Sequence, residues 1–515
     1  MRIKNSILNM LSEFFPQLIL MIIGFVKIKL FILVLGSEIN GFNATLTEIM
    51  SYLMLVEGGF GISMIQALYK PLAEKDQDGI KRLYLGSEKI LRIIGLVILG
   101  LSLVIAFFLP HLTSGVLPSG YAILIFYIIV IPTVLSYFMM APTLVVSADQ
   151  KNYKVNTILK VLAIVRGLLQ LGFLYLRLDY IMLVLVDGAV IFLQYFFSRR
   201  MAFREYPYLK EAKGLKPDMS ALSNTKHVFI HNISSVVKNS SRSIVMMITF
   251  PGAVGLVMSS INGSYNYIIS NFSTLLGGIL NAPKESFGNL LVTEKERVYN
   301  VFREYLSVAY FLASMICIVT FVTIGDFVLL WIRDPQYSQG LFVCFCFAYI
   351  LFEAMVRIPI HNIRNAAGLF KESRWFAMSE AGLNLIFSFI LIHQYQLAGL
   401  LFATVISSII SGFYLNPNLI YRRVFDLSVL HFYKDIALKL IHIVFCAVGA
   451  IGLWQWVLLP YVSSLFTWFI AAGALFIAVA LITVGYYFLL VPEFKEFVKR
   501  FGKKMLNRNH VVSTN

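Results

Sequence analysis

Charge is scarce in this 515-residue chain: Asp, Glu, Lys and Arg supply 14% of it, and hydrophobic residues 58%. With a mean hydropathy of +0.78, it has too little polar surface to be a soluble protein of this length. Acids are scarcer still, 27 against 43 basic residues, which leaves a net charge of +16. On a soluble domain that excess would suggest nucleic acid. Here the cations lie in short loops on one side, so topology and contact with anionic headgroups account for them, and no nucleic-acid partner is expected. Cysteine is rare, and Cys317, Cys344, Cys346 and Cys446 all fall in apolar segments, which fits free thiols and not disulfides or metal ligands. There is no Walker A sequence, no glycine-rich phosphate loop beside a strand and no nucleophile elbow. The chain therefore reads as a non-enzyme with no cofactor, and ATP hydrolysis within it is not expected. A cleavable signal peptide is missing too: the first apolar run, 14–35, is too long and lacks a small-residue cleavage site, so it is expected to stay as the first span.

What the chain does have is long apolar segments. Windows of about 20 residues mark spans near 14–35, 42–67, 90–109, 121–147, 156–176, 180–198, 227–250, 254–281, 305–332, 340–363, 375–393, 397–420, 438–460 and 463–491. The seventh and eighth are rich in Ser, Asn and Tyr and are expected to be helices with a polar face. Of the 43 Lys and Arg, 35 fall in the terminal segments and alternate connections, at 1–12, 69–92, 148–160, 198–226, 283–303, 364–374, 421–439 and 492–515. The intervening connections carry only Arg177 and Arg333, each beside an Asp, Asp179 and Asp334. That asymmetry is the positive-inside signature of a multi-pass protein of the bacterial cytoplasmic (inner) membrane with both termini in the cytoplasm. The other six, Lys27, Lys29, Arg166, Lys238, Arg242 and Arg357, lie inside apolar segments. Each costs about 2.5–3.5 kcal/mol there, so each needs an aqueous cavity or a partner.

In the seventh span, His231, Ser235, Lys238 and Arg242 are four, three and four residues apart, which puts them on one stripe of a continuous helix. The stripe reads as a cavity wall offering two cations to an anionic headgroup; the alternative is neutralisation by acids on neighbouring spans. Ser259, Asn262, Asn266, Ser270 and Ser273 repeat at helical spacing in the eighth span and suit either sugars or interhelical packing. Lys27 and Lys29 point some 200° apart, so only one readily faces a cavity, and Lys29 is the better candidate because it holds the repeat position of Arg242. Arg166 has no acid three or four residues away, which calls for a cavity position or an ion pair between helices. Arg357 has Glu353 one turn before it and can be neutralised within its own helix. Glu48, Glu57, Asp187, Asp326 and Glu380 have no cation on their own helix face; each is open to binding a proton or sodium ion, or to pairing with one of the six cations. His227 and His231 are only two ligands and make no metal site.

The halves of the chain repeat at an offset of about 215 residues. Lys29, Gly41, Pro71 and Lys81-Arg82-Leu83-Tyr84 are answered in order by Arg242, Gly255, Pro283 and Glu296-Arg297-Val298-Tyr299; Arg199-Arg200 is answered by Arg422-Arg423. Each unit holds six spans, an even number, so both insert the same way round, related by an axis along the membrane normal. The expected fold is an all-α polytopic membrane protein of about 14 transmembrane helices. It comprises an N-terminal six-helix lobe (1–215), a C-terminal six-helix lobe (216–433), two extra helices (434–491) and a basic cytoplasmic tail (492–515).

This plan resembles the multidrug/oligosaccharidyl-lipid/polysaccharide (MOP) exporter superfamily, and within it the polysaccharide repeat-unit flippases of Wzx type. The residues that carry the likeness are Leu35-Gly36, Glu57-Gly58-Gly59-Phe60-Gly61, Leu68-Tyr69-Lys70-Pro71-Leu72, and Ala366-Ala367-Gly368 through Glu380-Ala381-Gly382-Leu383-Asn384-Leu385. The resemblance implies two lobes around a central cavity and movement of undecaprenyl-diphosphate-linked oligosaccharide to the outer leaflet by alternating access, for surface polysaccharide such as O-antigen or capsule. Lys29, Arg166, Lys238 and Arg242 would then pair with the diphosphate, and His231, Ser235, Ser259, Asn262, Asn266 and Ser270 would meet sugars. Partners would be the lipid-linked oligosaccharide, membrane lipids and, by pathway logic, a polysaccharide polymerase. The rival readings are a lipid II flippase of peptidoglycan synthesis and a cation-coupled multidrug exporter, which would want an acidic, aromatic cavity. A non-transporting scaffold has no need of buried charge.

Overall fold

A computed structural model describes residues 2–212, 214–220, 232–238, 240–281 and 283–500, with side chains described from Ser12 onward except at a few positions. Every regular element among the described residues is helical, and 11 helices are long and apolar enough to cross a membrane. The chain is an all-α, multi-pass membrane protein. Helix suits this composition because a spanning segment must satisfy its own backbone hydrogen bonds where water is absent.

The difference from the 14 expected spans has three causes. The eleventh and twelfth run together as Lys371–Arg423, broken only by a kink at Gln396 (φ 49°). The eighth is present as a 28-residue helix, Ala253–Leu280, too polar to qualify on hydropathy. The seventh is not one helix: residues 232–238 are helical, and a separate eight-residue helix, Arg242–Thr249, follows Ser240-Ser241. Of the expected tail helix, 492–500 is helical and 501–515 lies outside the described residues.

Packing divides the chain into two compact units, Met1–Gly263 and Ser264–Asn515. In the first, α1 (Arg2–Leu35) runs along α7 (Asn152–Tyr175). Gly167 makes the approach possible, since a Cβ there would lie 2.6 Å from Ile23 Cγ2. The core holds Phe42, Leu46, Phe60, Leu91, Ile98 and Phe126, drawn from α2 (Ser37–Met54), α3 (Phe60–Glu74), α4 (Gln77–Leu112) and α5 (Ser119–Met139). α2 and α3 form one span interrupted by a 3-10 turn and by Gly58 and Gly59, at φ 60° and 80°, a conformation glycine adopts without cost. Next come α6 (Ala141–Ala148) and α8 (Tyr180–Glu205). At the junction of α6 and α7, Lys151 is gripped by Asp149 at 2.8 Å and Glu205 at 2.9 Å. Burial opposes its charge, but these carboxylates outweigh burial and hold its pKa above the usual lysine value.

In the second unit the long helix Val298–Ile332 packs on Leu341–Ala366, Val429–Leu453 and Leu465–Leu490. An apolar cluster of Ile318, Val322, Ala450, Trp454, Leu475 and Val479 fastens the last two helices to it.

Candidate functional site

Several polar clusters lie within these apolar bundles among the described residues. The first joins α1, α7 and α8. Arg166 and Gln170 are one turn apart on α7, so both face the same neighbours. Arg166 Nη1 is 3.4 Å from Asp187 Oδ1, and both side chains are partly exposed, at 34% and 24%. Lys27 Nζ donates to Gln170 Oε1 at 3.2 Å, Gln170 Nε2 donates to the Leu183 carbonyl at 3.1 Å, and Asp187 and Arg166 both act electrostatically on Lys27. Arg166 and Asp187 are therefore an ion pair between helices, and Lys27 enters the cluster through Gln170. Lys29 is half-buried.

The second cluster joins α2 to the Arg242–Thr249 helix. That helix begins with open backbone N–H groups. Glu48 closes it: its carboxylate accepts from the Ser243 N–H at 2.7 Å, the Ile244 N–H at 3.2 Å and the Ser243 hydroxyl at 2.9 Å. A carboxylate there also meets the positive end of the helix dipole. Arg242, the first residue of this helix, is buried and acts electrostatically on Glu48. Glu57 does similar work at the start of α3, accepting from the Gly61 N–H and from the Tyr137 hydroxyl at 3.4 Å. The expected stripe of His231, Ser235, Lys238 and Arg242 on one helix is thus corrected. The helix is broken before Arg242, which loses the i,i+4 relation to Lys238, because small polar residues and Glu48 let a new helix start there. Ser235 is exposed and Lys238 half-buried; His231 and His227 lie outside the described residues.

The polar face of Ala253–Leu280 is not uniform. α2 crosses its first half closely: Asn40 Nδ2 donates to Ser260 Oγ at 2.7 Å, and a Cβ on Gly41 would fall 1.7 Å from the Leu256 carbonyl oxygen. Ser259 and Asn262 are buried there, and neither Ser259 Oγ nor Asn262 Oδ1 has a hydrogen-bond partner among the described residues. Further along, Asn266 and Ser273 are half-buried and Ser270 is exposed.

The third cluster belongs to the second unit. Arg357 pairs with Glu353 and forks onto Glu380, with Nη1 to Oε1 at 2.9 Å and Nη2 to Oε2 at 2.7 Å. Nη2 also donates to Ser411 Oγ at 2.9 Å. Arg364 donates to Asn416 Oδ1 at 3.1 Å nearby. Arg357 thus answers to two carboxylates, on its own helix and on the next. Asp326, another of the acids without a cation on its own face, accepts from the Trp454 Nε1–H at 2.8 Å.

One cluster escaped the sequence reading. Asp435 accepts from the hydroxyls of Tyr299 at 2.8 Å and Tyr421 at 2.6 Å and pairs with Arg303 at 2.8 Å, while Arg303 reaches Glu493. Lys439, counted with the basic 421–439 connection, is buried on the Val429–Leu453 helix. The one available signal was the i,i+4 spacing of Asp435 and Lys439.

No protein-family model and no curated protein matches the chain. Solved structures do. A structure of the lipid II flippase MurJ in an inward closed conformation superposes with a TM-score of 0.64 over 95% of this chain and 100% of that one, at 15% identity. An inward-facing multidrug resistance MATE family transporter of the MOP superfamily gives a TM-score of 0.59 over 75% and 91%, at 12% identity. A crystal structure of MATE in the bent conformation gives 0.51 over 77% and 91%, at 14% identity. The chain accordingly has the all-helical, multi-pass membrane fold that is also seen in MurJ and the MATE transporters.

Proposed function

We propose that this protein is a flippase that moves an undecaprenyl-diphosphate-linked oligosaccharide from the cytoplasmic to the outer leaflet of the bacterial inner membrane by alternating access, for surface polysaccharide synthesis. One observation carries the reading. Lys27, Lys29, Arg166, Lys238 and Arg242 lie in the spans of the first unit against Glu48, Glu57 and Asp187, and Glu48 and Glu57 hold helix N-termini. These segments of the unit therefore carry more basic than acidic side chains. Excess positive charge is costly at membrane depth, and a diphosphate supplies compensation through charge-assisted hydrogen bonds. The same sign of charge disfavours a cationic drug as cargo. Ser270 and Asn266, each at least partly exposed, are hydroxyl and amide groups of the kind that suit sugars. Occupancy shifts the alternating equilibrium only as far as the substrate binds its two states differently.

A second reading, a flippase for lipid II, shares the diphosphate chemistry and is favoured by the extent of the likeness to MurJ, which covers 95% of this chain and 100% of that one. Deletion of the gene separates the two. Loss of surface glycan with lipid-linked repeat units trapped on the cytoplasmic side, in viable cells, is the expected result. Lethality with accumulated peptidoglycan precursor would move the assignment to lipid II, and unchanged glycan with new sensitivity to cationic drugs would overturn both.

A further inference from the structure

Each unit carries an open groove at the basic end of its bundle. In the first unit a groove of about 470 Å³ runs between α7 and α8, lined by Val161, Leu162, Phe197 and Met201 and by Arg200 and Arg204. In the second, a groove of about 390 Å³ lies between Phe376 and the Asn416–Arg423 helix, where Asn418, Leu419, Arg422 and Arg423 line it. Both fall within the range of about 300–1,000 Å³ usual for small-ligand sites. The sequence repeat sets Arg200 of the first groove opposite Arg423 of the second, and each groove is lined by two arginines.

The charges in these grooves are unlike their neighbours. Within the same basic band, Lys151 and Lys154 are held by Glu205, and Arg199 is held by Glu88 and the Phe138 carbonyl. Arg200, Arg204, Arg422 and Arg423 are exposed, and no carboxylate lines either groove. In the second groove Asn418 Oδ1 is buried without a hydrogen-bond partner among the described residues. Apolar side chains beside two guanidiniums in each groove complement one kind of molecule, a phosphate headgroup that carries acyl chains.

We propose that the two grooves are repeat-related binding sites for an anionic glycerophospholipid of the leaflet on the basic side of the protein, one per unit. The site is separate from the intramembrane cations assigned to the transported diphosphate. Arginines at the headgroup level contribute about 1 kcal/mol each, so removing a pair is expected to weaken lipid binding about thirty-fold.

The test titrates the purified full-length protein in detergent with phosphatidylglycerol and, separately, with phosphatidylcholine, counting bound lipids by native mass spectrometry. The expected result is two phosphatidylglycerol molecules beyond the phosphatidylcholine background, one lost in R200Q/R204Q, one in R422Q/R423Q and both in the quadruple variant. Arg242→Gln should keep both, which separates this proposal from the transport assignment. Equal phosphatidylglycerol binding by wild type and quadruple variant would overturn it, as would phosphatidylcholine binding with the same arginine dependence. So would a lower melting temperature of the lipid-free quadruple variant, because the arginines would then be serving the fold.

Discussion

At the scale of single residues, the intramembrane charges divide by what compensates them. Arg357 sits between Glu353 and Glu380 at 9% side-chain exposure, and removing one member of a buried network costs about 3–5 kcal/mol because the others are left uncompensated. Arg357→Ala should therefore lower the melting temperature of the purified protein steeply. Arg357→Met combined with Glu353→Gln and Glu380→Gln should recover much of that loss. Arg166 and Asp187 are more exposed, so Arg166→Ala should lower the melting temperature less than Arg357→Ala and show its effect in transport as well. Glu48 makes a sharper contrast. Read as a cap, Glu48→Gln keeps an acceptor oxygen and should keep transport, whereas Glu48→Ala should cost about 0.5–2 kcal/mol of stability. Lost transport in a stably folded Glu48→Gln would instead mark this acid as the coupling ion's site.

At the scale of elements, the breaks matter as much as the spans. The span of α2 and α3 breaks at Gly58-Gly59 and a new helix begins at Arg242, each at a carboxylate that meets the exposed N–H groups. Gly41 lets α2 cross Ala253–Leu280 with backbone nearly in contact. Gly41→Ala should destabilise by about 1–3 kcal/mol or more, through overpacking against backbone that has nowhere to move. Gly172→Ala, on a helix face with nothing within 4 Å, should be neutral or slightly stabilising in the same melting assay. Most spans were legible in the sequence because apolar length alone defines them. The seventh was not, since its break depends on Glu48, 195 residues from Ser243. Periodicity assumes a continuous helix and put Lys238 and Arg242 on one stripe. The pairing of Glu380 with Arg357 and of Asp187 with Arg166 was likewise invisible, because the partners sit on different helices and only the packing brings them together. Lys27 meets the α7 cluster for the same reason: which side of α1 faces α7 is set by the Ile23–Gly167 contact, and Lys27 lies one turn beyond Ile23.

At the scale of the whole molecule, the positive-inside bias predicts an orientation that labelling can check. The four native cysteines are all buried and can be replaced. In that background single cysteines at Ser114 and Ser338 should react with an impermeant thiol reagent on intact cells, and those at Ser220 and Ser428, both exposed, only after the membrane is opened. Labelling of the second pair on intact cells would invert the topology and, with it, the leaflet from which cargo is taken.

The most direct measurement is translocation itself: purified protein in liposomes, with an undecaprenyl-diphosphate oligosaccharide in one leaflet and its appearance in the other followed over time. Wild type should move it, Arg166→Ala and Arg242→Ala should slow it at least tenfold while remaining folded, and a cationic dye should not be carried. Unimpaired movement by both folded variants, or transport of the dye in place of the lipid-linked sugar, would contradict the account.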